Sequence, residues 1–183
     1  MERLPLDHRV VYCALDDRIP FCEVMIIPYV LWFVCGFFIT LYTLFRDVPA
    51  FRRFMRYLIV TGVVSFVFYV FFPSTFPGQP DPLPRDNVFT WIVGLVYGAD
   101  SPTSIFPSEH VIVALGMAFT VLYSRRLRRP GFAIPFTALQ LLICVSVIFV
   151  KQHSVLDVLG ALPVCLLGWL CCFRPREKEA GEN

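Results

Sequence analysis

Charge is scarce in this chain: only 16% of its 183 residues are Asp, Glu, Lys or Arg, against 57% hydrophobic residues. A water-soluble domain of this size needs more polar surface than that, so a soluble globular protein is excluded. There is no internal repeat, no low-complexity linker and no C-x-x-C pair or zinc spacing among the seven cysteines, which argues against a structural metal. Residues 1–23 offer no basic stretch leading into a short apolar run with a small-residue cleavage site, so a secretory signal is not expected there. Histidine is rare as well, with three in all.

What the chain has instead is long apolar blocks, the pattern of helices that cross a bilayer of roughly 30 Å hydrocarbon thickness. Spans are predicted at residues 25–45, 57–72 (extended by Phe54 and Met55), from His110 to Tyr123, at 132–150 and at 155–173. Between the second and third lies a loop with Pro73, Pro77, Pro80, Pro82 and Pro84, which cannot be helical. Residues 87–97 are apolar but too short to span, with Asp86 or Asn87 as the N-cap. The reading is an all-α polytopic membrane protein of five to six transmembrane helices: an external segment 1–24, a membrane domain 25–173 and a tail 174–183. Of the sixteen Lys and Arg, eleven fall on one side (Arg46, Arg52, Arg53, Arg56, Arg125, Arg126, Arg128, Arg129, Arg174, Arg176 and Lys178). The rule that basic loops stay in the cytoplasm then places the N-terminus outside and the C-terminus inside. These arginines are topogenic first, with anionic headgroup binding second.

On the opposite side sit His110, His153 and Asp157, each beside a span. Ionisable groups at membrane depth are costly and usually have a partner and a purpose. Residues 153 and 157 share a helical face, so the carboxylate can fix the imidazole tautomer and leave the other ring nitrogen free to attack. His110 opens a separate span from the same side, and Pro107-Ser108 begins a helix whose free backbone N–H groups suit an anion. Phosphoryl transfer fits these parts: a histidine nucleophile, an orienting aspartate and a second histidine as general acid. Two readings stand beside it. An interfacial histidine is often only a polar anchor, and two histidines with one carboxylate are also a metal-binding set.

Phe106-Pro107-Ser108-Glu109-His110 resembles the P-S-x-H motif of the type 2 phosphatidic acid phosphatase superfamily, which includes the vanadium haloperoxidases. Ser146 with His153-Ser154-Val155-Leu156-Asp157 resembles its S-R-x5-H-x3-D motif, in the K-Q-H-x3-D form of some bacterial members and close to sphingomyelin-synthase-like enzymes. The resemblance implies a helical bundle of that family's type. It implies His153 as the nucleophile that becomes a phosphohistidine, Asp157 orienting it, His110 protonating the leaving alcohol, and Ser108 holding a phosphate oxygen. It further implies no metal and no other cofactor, a lipid phosphate or diphosphate as substrate among membrane lipids, and no nucleic acid or obligate protein partner. The setting would be a bacterial plasma membrane with the site facing outside. The family's first motif, K-x6-R-P, is not intact: Gln79-Pro80 stands near the place of its Arg-Pro, and Val147 takes the place of the third motif's Arg. Lys151 and Arg85 are the cations left to compensate, with Gln79 as a neutral stand-in. A phosphotransferase using the same intermediate and a non-catalytic phosphate binder are the alternatives.

Overall fold

In the computed structural model, residues 8–100 and 103–174 are described; Arg3, Arg176, Lys178 and nearly all of the tail segment lie outside them. The chain runs β1 (Arg9–Val10), α1 (Ala14–Arg18), a 3-10 turn (Glu23–Met25), α2 (Ile26–Arg46), α3 (Val48–Phe71), β2 (Ser74–Thr75), α4 (Val88–Ala99), α5 (Glu109–Tyr123), α6 (Pro130–Phe149) and α7 (Val155–Cys172). Four helices are long and apolar enough to cross a membrane: Glu23–Arg46, Val48–Phe71, Pro130–Phe149 and Val155–Cys172. Their outer faces carry exposed Phe37, Phe45, Ile59, Phe71 and Ile134, the surface a lipid environment covers.

Two boundaries differ from the sequence expectation. The basic stretch after the first span is helical, because Asp47 alone separates α2 from α3. Its carboxylate accepts from Ala50 N at 3.3 Å while Pro49 occupies the first turn, where a missing N–H costs nothing. The span that starts at His110 has 15 residues, roughly 22 Å at 1.5 Å per residue, which is short for a bilayer. It can be short because it is the central helix. It packs against α2, α3, α6 and α7, and Val111, Ile112, Ala114, Met117, Ala118 and Val121 are all buried. Its far end is tied to the α2–α3 corner by Ser124 Oγ donating to Asp47 at 2.6 Å.

Tyr57 of α3 shows how closely these helices approach. A Cβ on Gly116 of α5 would lie 2.4 Å from its ring, and one on Gly168 of α7 would lie 2.6 Å from it. The ring occupies the slot those two glycines leave, and its hydroxyl donates to Ile112 O at 2.9 Å. Small residues at helix interfaces allow this approach where apolar burial supplies little drive.

The opposite end of the bundle is covered by the N-terminal segment and the proline-rich loop. β1 pairs in parallel with β2, Arg9 beside Ser74 and Val10 beside Thr75. Helix α4, only 12 residues long, starts at Asn87, whose side chain accepts from Phe89 N and Thr90 N while Thr90 Oγ1 accepts from Asn87 N. It is fastened to the bundle by Tyr97 Oη donating to Val150 O at 2.6 Å.

Candidate active site

His110 stands in the first turn of α5, directly after its N-cap Ser108 and Glu109. Three aromatic residues of α2 at helical spacing, Tyr29, Trp32 and Phe33, enclose its ring with centroid distances of 4.6, 4.7 and 6.5 Å. Trp32 Nε1 also donates to the His110 carbonyl at 3.1 Å. His110 Nε2 is buried with no hydrogen-bond partner among the described residues.

His153 lies in the short turn between α6 and α7. That turn folds back on α6 through Gln152 N and His153 N, which both donate to Val147 O at 3.0 and 3.2 Å. Ser154 then caps α7 with Asp157 as the reciprocal partner: Ser154 Oγ accepts from Leu156 N, and Asp157 Oδ2 accepts from Ser154 N at 2.9 Å. This is a capping box written in the sequence as Ser154-x-x-Asp157, so Asp157 has a structural duty besides facing His153. Its Oδ2 is 3.4 Å from His153 Nδ1, an ionic contact too long for a well-formed hydrogen bond, and Nδ1 has no hydrogen-bond partner among the described residues. Asp157 Oδ1 is buried and unpartnered among the described residues.

The two imidazoles, one from α5 and one from the α6–α7 turn, meet edge to face, 5.7 Å between centroids. Both line one cavity of about 160 Å³ with Tyr69, Asp100, Thr103, Ser104, Ile105, Glu109 and Gln152. At roughly 30 Å³ per water this is room for about five waters, enough for a polar headgroup fragment. Tyr69 is held there by its hydroxyl donating to Pro107 O at 3.0 Å.

The four residues expected to hold phosphate are dispersed. Ser108 is fully buried beside His110, its Oγ without a partner among the described residues, and its N–H donates to Asp157 O at 3.2 Å. Gln79 reaches the site at one remove, Nε2 donating to Gln152 Oε1 at 2.8 Å. Arg85 is paired with Glu23 at 2.6 Å, its side chain 63% exposed; that carboxylate holds the guanidinium at the rim and raises its pKa. Lys151 Nζ is committed to the N-terminal segment, donating to Asp16 O and Ile19 O at 2.6 Å each. Burial lowers its pKa, while Asp16 and Asp17 act to raise it. Neither cation lines the cavity, and Val147 is a core residue with 0% exposure. Ser146 Oγ is spent on Ile143 O of its own helix.

Sequence reasoning missed Gln152, Tyr69, Asp100 and the α2 aromatic face. The only signal available was the spacing of Tyr29, Trp32 and Phe33 at the start of a span. No group of three His, Cys, Asp or Glu residues among those described could hold a metal ion, so the facial-triad alternative lacks its ligand set there.

A helical membrane bundle with two histidines and a carboxylate gathered at one end is the class these features define. The sequence model of the PAP2 superfamily matches residues 2–171. The chain belongs to that superfamily, which supports an activity of the phosphatase type, and its helical membrane bundle is consistent with the family's fold. No curated protein and no solved structure matches it.

Proposed function

We propose that this protein transfers a phosphoryl group from a lipid phosphate through a phosphohistidine on His153. One observation carries the reading: imidazoles from α5 and from the α6–α7 turn share a single cavity, and a buried carboxylate faces Nδ1 of the second. With Nδ1–H directed at Asp157, the lone pair on His153 Nε2 attacks phosphorus. The bond from phosphorus to the lipid oxygen breaks, and His110 gives that oxygen its proton. Water then attacks the phosphohistidine, His110 takes a proton from it, the P–N bond breaks and phosphate leaves. Side chains supply every step, so turnover is insensitive to chelator and inhibited by vanadate.

Phosphate holding falls to neutral donors. The Gln152 amide nitrogen is buried in the cavity wall without a well-formed hydrogen bond, the Tyr29 hydroxyl beside it. Ser108 Oγ and the backbone N–H groups opening α5 complete the set. The site lies at the end opposite the Arg-rich turns, which supports an outer-face position reached by an amphiphile from the leaflet.

Phosphate release from phosphatidate and from a polyprenyl diphosphate, measured on the purified protein, tests the reading. His153→Ala is expected to lower turnover by about a thousandfold or more; turnover equal to wild type eliminates the nucleophile.

A transferase reading has one observation in its favour. The cavity wall carries the carboxyl groups of Asp100 and Glu109 and, among the described residues, no Lys or Arg. That charge pattern suits a phosphodiester headgroup better than a dianionic monoester, and a phosphodiester is the donor for passing a phosphate-linked headgroup to a lipid alcohol. Appearance of a labelled phospholipid from fluorescent diacylglycerol separates transfer from hydrolysis.

A further inference from the structure

The turn that carries His153 is held from outside the bundle. Asp16, in the five-residue helix α1 and only 2% exposed, reaches across to the start of α7. Its Oδ1 accepts from Val155 N at 2.9 Å, and its Oδ2 accepts from Ser154 Oγ at 2.6 Å and from Cys13 N at 2.8 Å. Val155 N is one of the first N–H groups of α7, which have no partner inside the helix, and a carboxylate there is also favoured by the helix dipole. Asp16 is thus a tertiary cap on the helix that begins two residues after His153. Burial opposes its ionisation, but the hydrogen bonds from Ser154, Val155 and Cys13 outweigh that and keep its pKa below the usual value.

Lys151 makes the same connection from the other side of His153. Its φ is 58°, in the left-handed region, a conformation that costs an L-residue roughly 1–2 kcal/mol and that glycine adopts freely. The lysine side chain offsets that cost through its two short bonds to the carbonyls of Asp16 and Ile19. The segment from Cys13 to Ile19 is itself anchored at both ends, by β1 against β2 and by Cys22 N donating to Phe149 O at 3.0 Å. His153 therefore sits between two fixed points, Lys151 before it and Ser154-Val155 after it, both tied to one strap.

We propose that Asp16 and Lys151 are positioning residues for His153, and that the strap of residues 13–19 belongs to the active-site scaffold. The inference rests on His153 being the nucleophile. It assigns Lys151 to holding the turn and not to binding phosphate. The Asp157 contact is long and no hydrogen bond from another side chain is seen on His153 among the described residues, so the aim of the ring depends on the strap. Errors of about 1 Å in aim can cost on the order of a hundredfold in rate.

The test compares Asp16→Ala, Asp16→Asn and Lys151→Gly with Asp81→Asn, which removes an exposed charge outside the strap. Hydrogen exchange of the detergent-solubilised protein is followed alongside phosphatidate turnover. Expected is faster exchange confined to residues 151–156 and a kcat reduced by at least about tenfold with KM nearly unchanged. Asp16→Asn, which retains one acceptor oxygen, should fall between Asp16→Ala and wild type, and Asp81→Asn should match wild type. Lys151→Gly should lose activity although its backbone is relaxed; a large rise in KM would instead return Lys151 to the phosphate. Unchanged exchange and kcat in both Asp16 variants would overturn the proposal, as would loosening spread evenly over α2, α3 and α7. If His153→Ala keeps full turnover while exchange still rises over 151–156, the nucleophile reading has failed and the brace stands as a structural feature alone.

Discussion

Gln152 lines the cavity; its amide oxygen accepts a hydrogen bond from Gln79, and its nitrogen is buried with no hydrogen-bond partner among the described residues. A pair of amides in place of a guanidinium gives a donor without a charge, which holds a phosphate oxygen less strongly than a bidentate arginine would. Gln152→Leu removes the donor while keeping most of the volume. A hydrogen bond to a charged group is worth about 1.5–3 kcal/mol, so a loss of roughly tenfold to a hundredfold in kcat/KM is expected for phosphatidate. Gln79→Leu, which leaves the Gln152 nitrogen in place, should cost less. Equal activity in Gln152→Leu would remove this residue from the phosphate site. At this scale the proximity of His110, His153 and Asp157 was legible from two spaced motifs. Gln152, Tyr69 and Asp16 were not, because the features that distinguish them are contacts made across the fold.

Helix α5 delivers His110 to the cavity, and its depth along the bundle is set by Tyr57. The ring is buried at 0% exposure, pinned by its hydroxyl to Ile112, and flanked by Gly116 and Gly168. A methyl group at Gly116 would meet ring atoms that cannot swing aside. Gly116→Ala is therefore expected to destabilise by about 1–3 kcal/mol, as overpacked cores do, and to lower activity through displacement of His110. Thermal unfolding in detergent, with Gly62→Ala as the comparison because nothing lies within 4 Å of that position, measures it; equal melting of both variants contradicts the packing account. Helix existence was readable from apolar run length for α2, α3, α6 and α7. The start of α3 was misplaced because arginines read as a loop, whereas three turns of helix can project them to the aqueous side while the opposite face stays buried. The shortness of α5 could not be weighed without knowing that four neighbours enclose it.

For the molecule as a whole, Arg-rich corners at one end and the histidine cavity at the other define an axis. The asymmetry of basic loops predicts that the cavity end of that axis faces outside. In a background lacking the seven native cysteines, a membrane-impermeant maleimide added to intact cells should label a cysteine at Asp86 and spare one at Arg126, both exposed positions; the reverse pattern inverts the topology. The N-terminal segment was read as external, with no expectation of what it contacts. It packs over the cavity end, with β1 on β2 and α1 on the turn before α7.

What the sequence by itself determined follows from properties local in the chain: apolar runs long enough to span, a Ser154-to-Asp157 capping box, and two histidine motifs entering from one side. Hydrophobic transfer and helix capping act over a few residues, so their signals survive in one dimension. Only the tertiary structure decided that Lys151 and Arg85 are engaged elsewhere and that a neutral amide faces the cavity. It also decided that an aspartate 138 positions from Ser154 caps the helix next to His153. Side chains choose partners by proximity in space, and a charge at a given position carries no mark of which carbonyl or carboxylate the fold will bring to it.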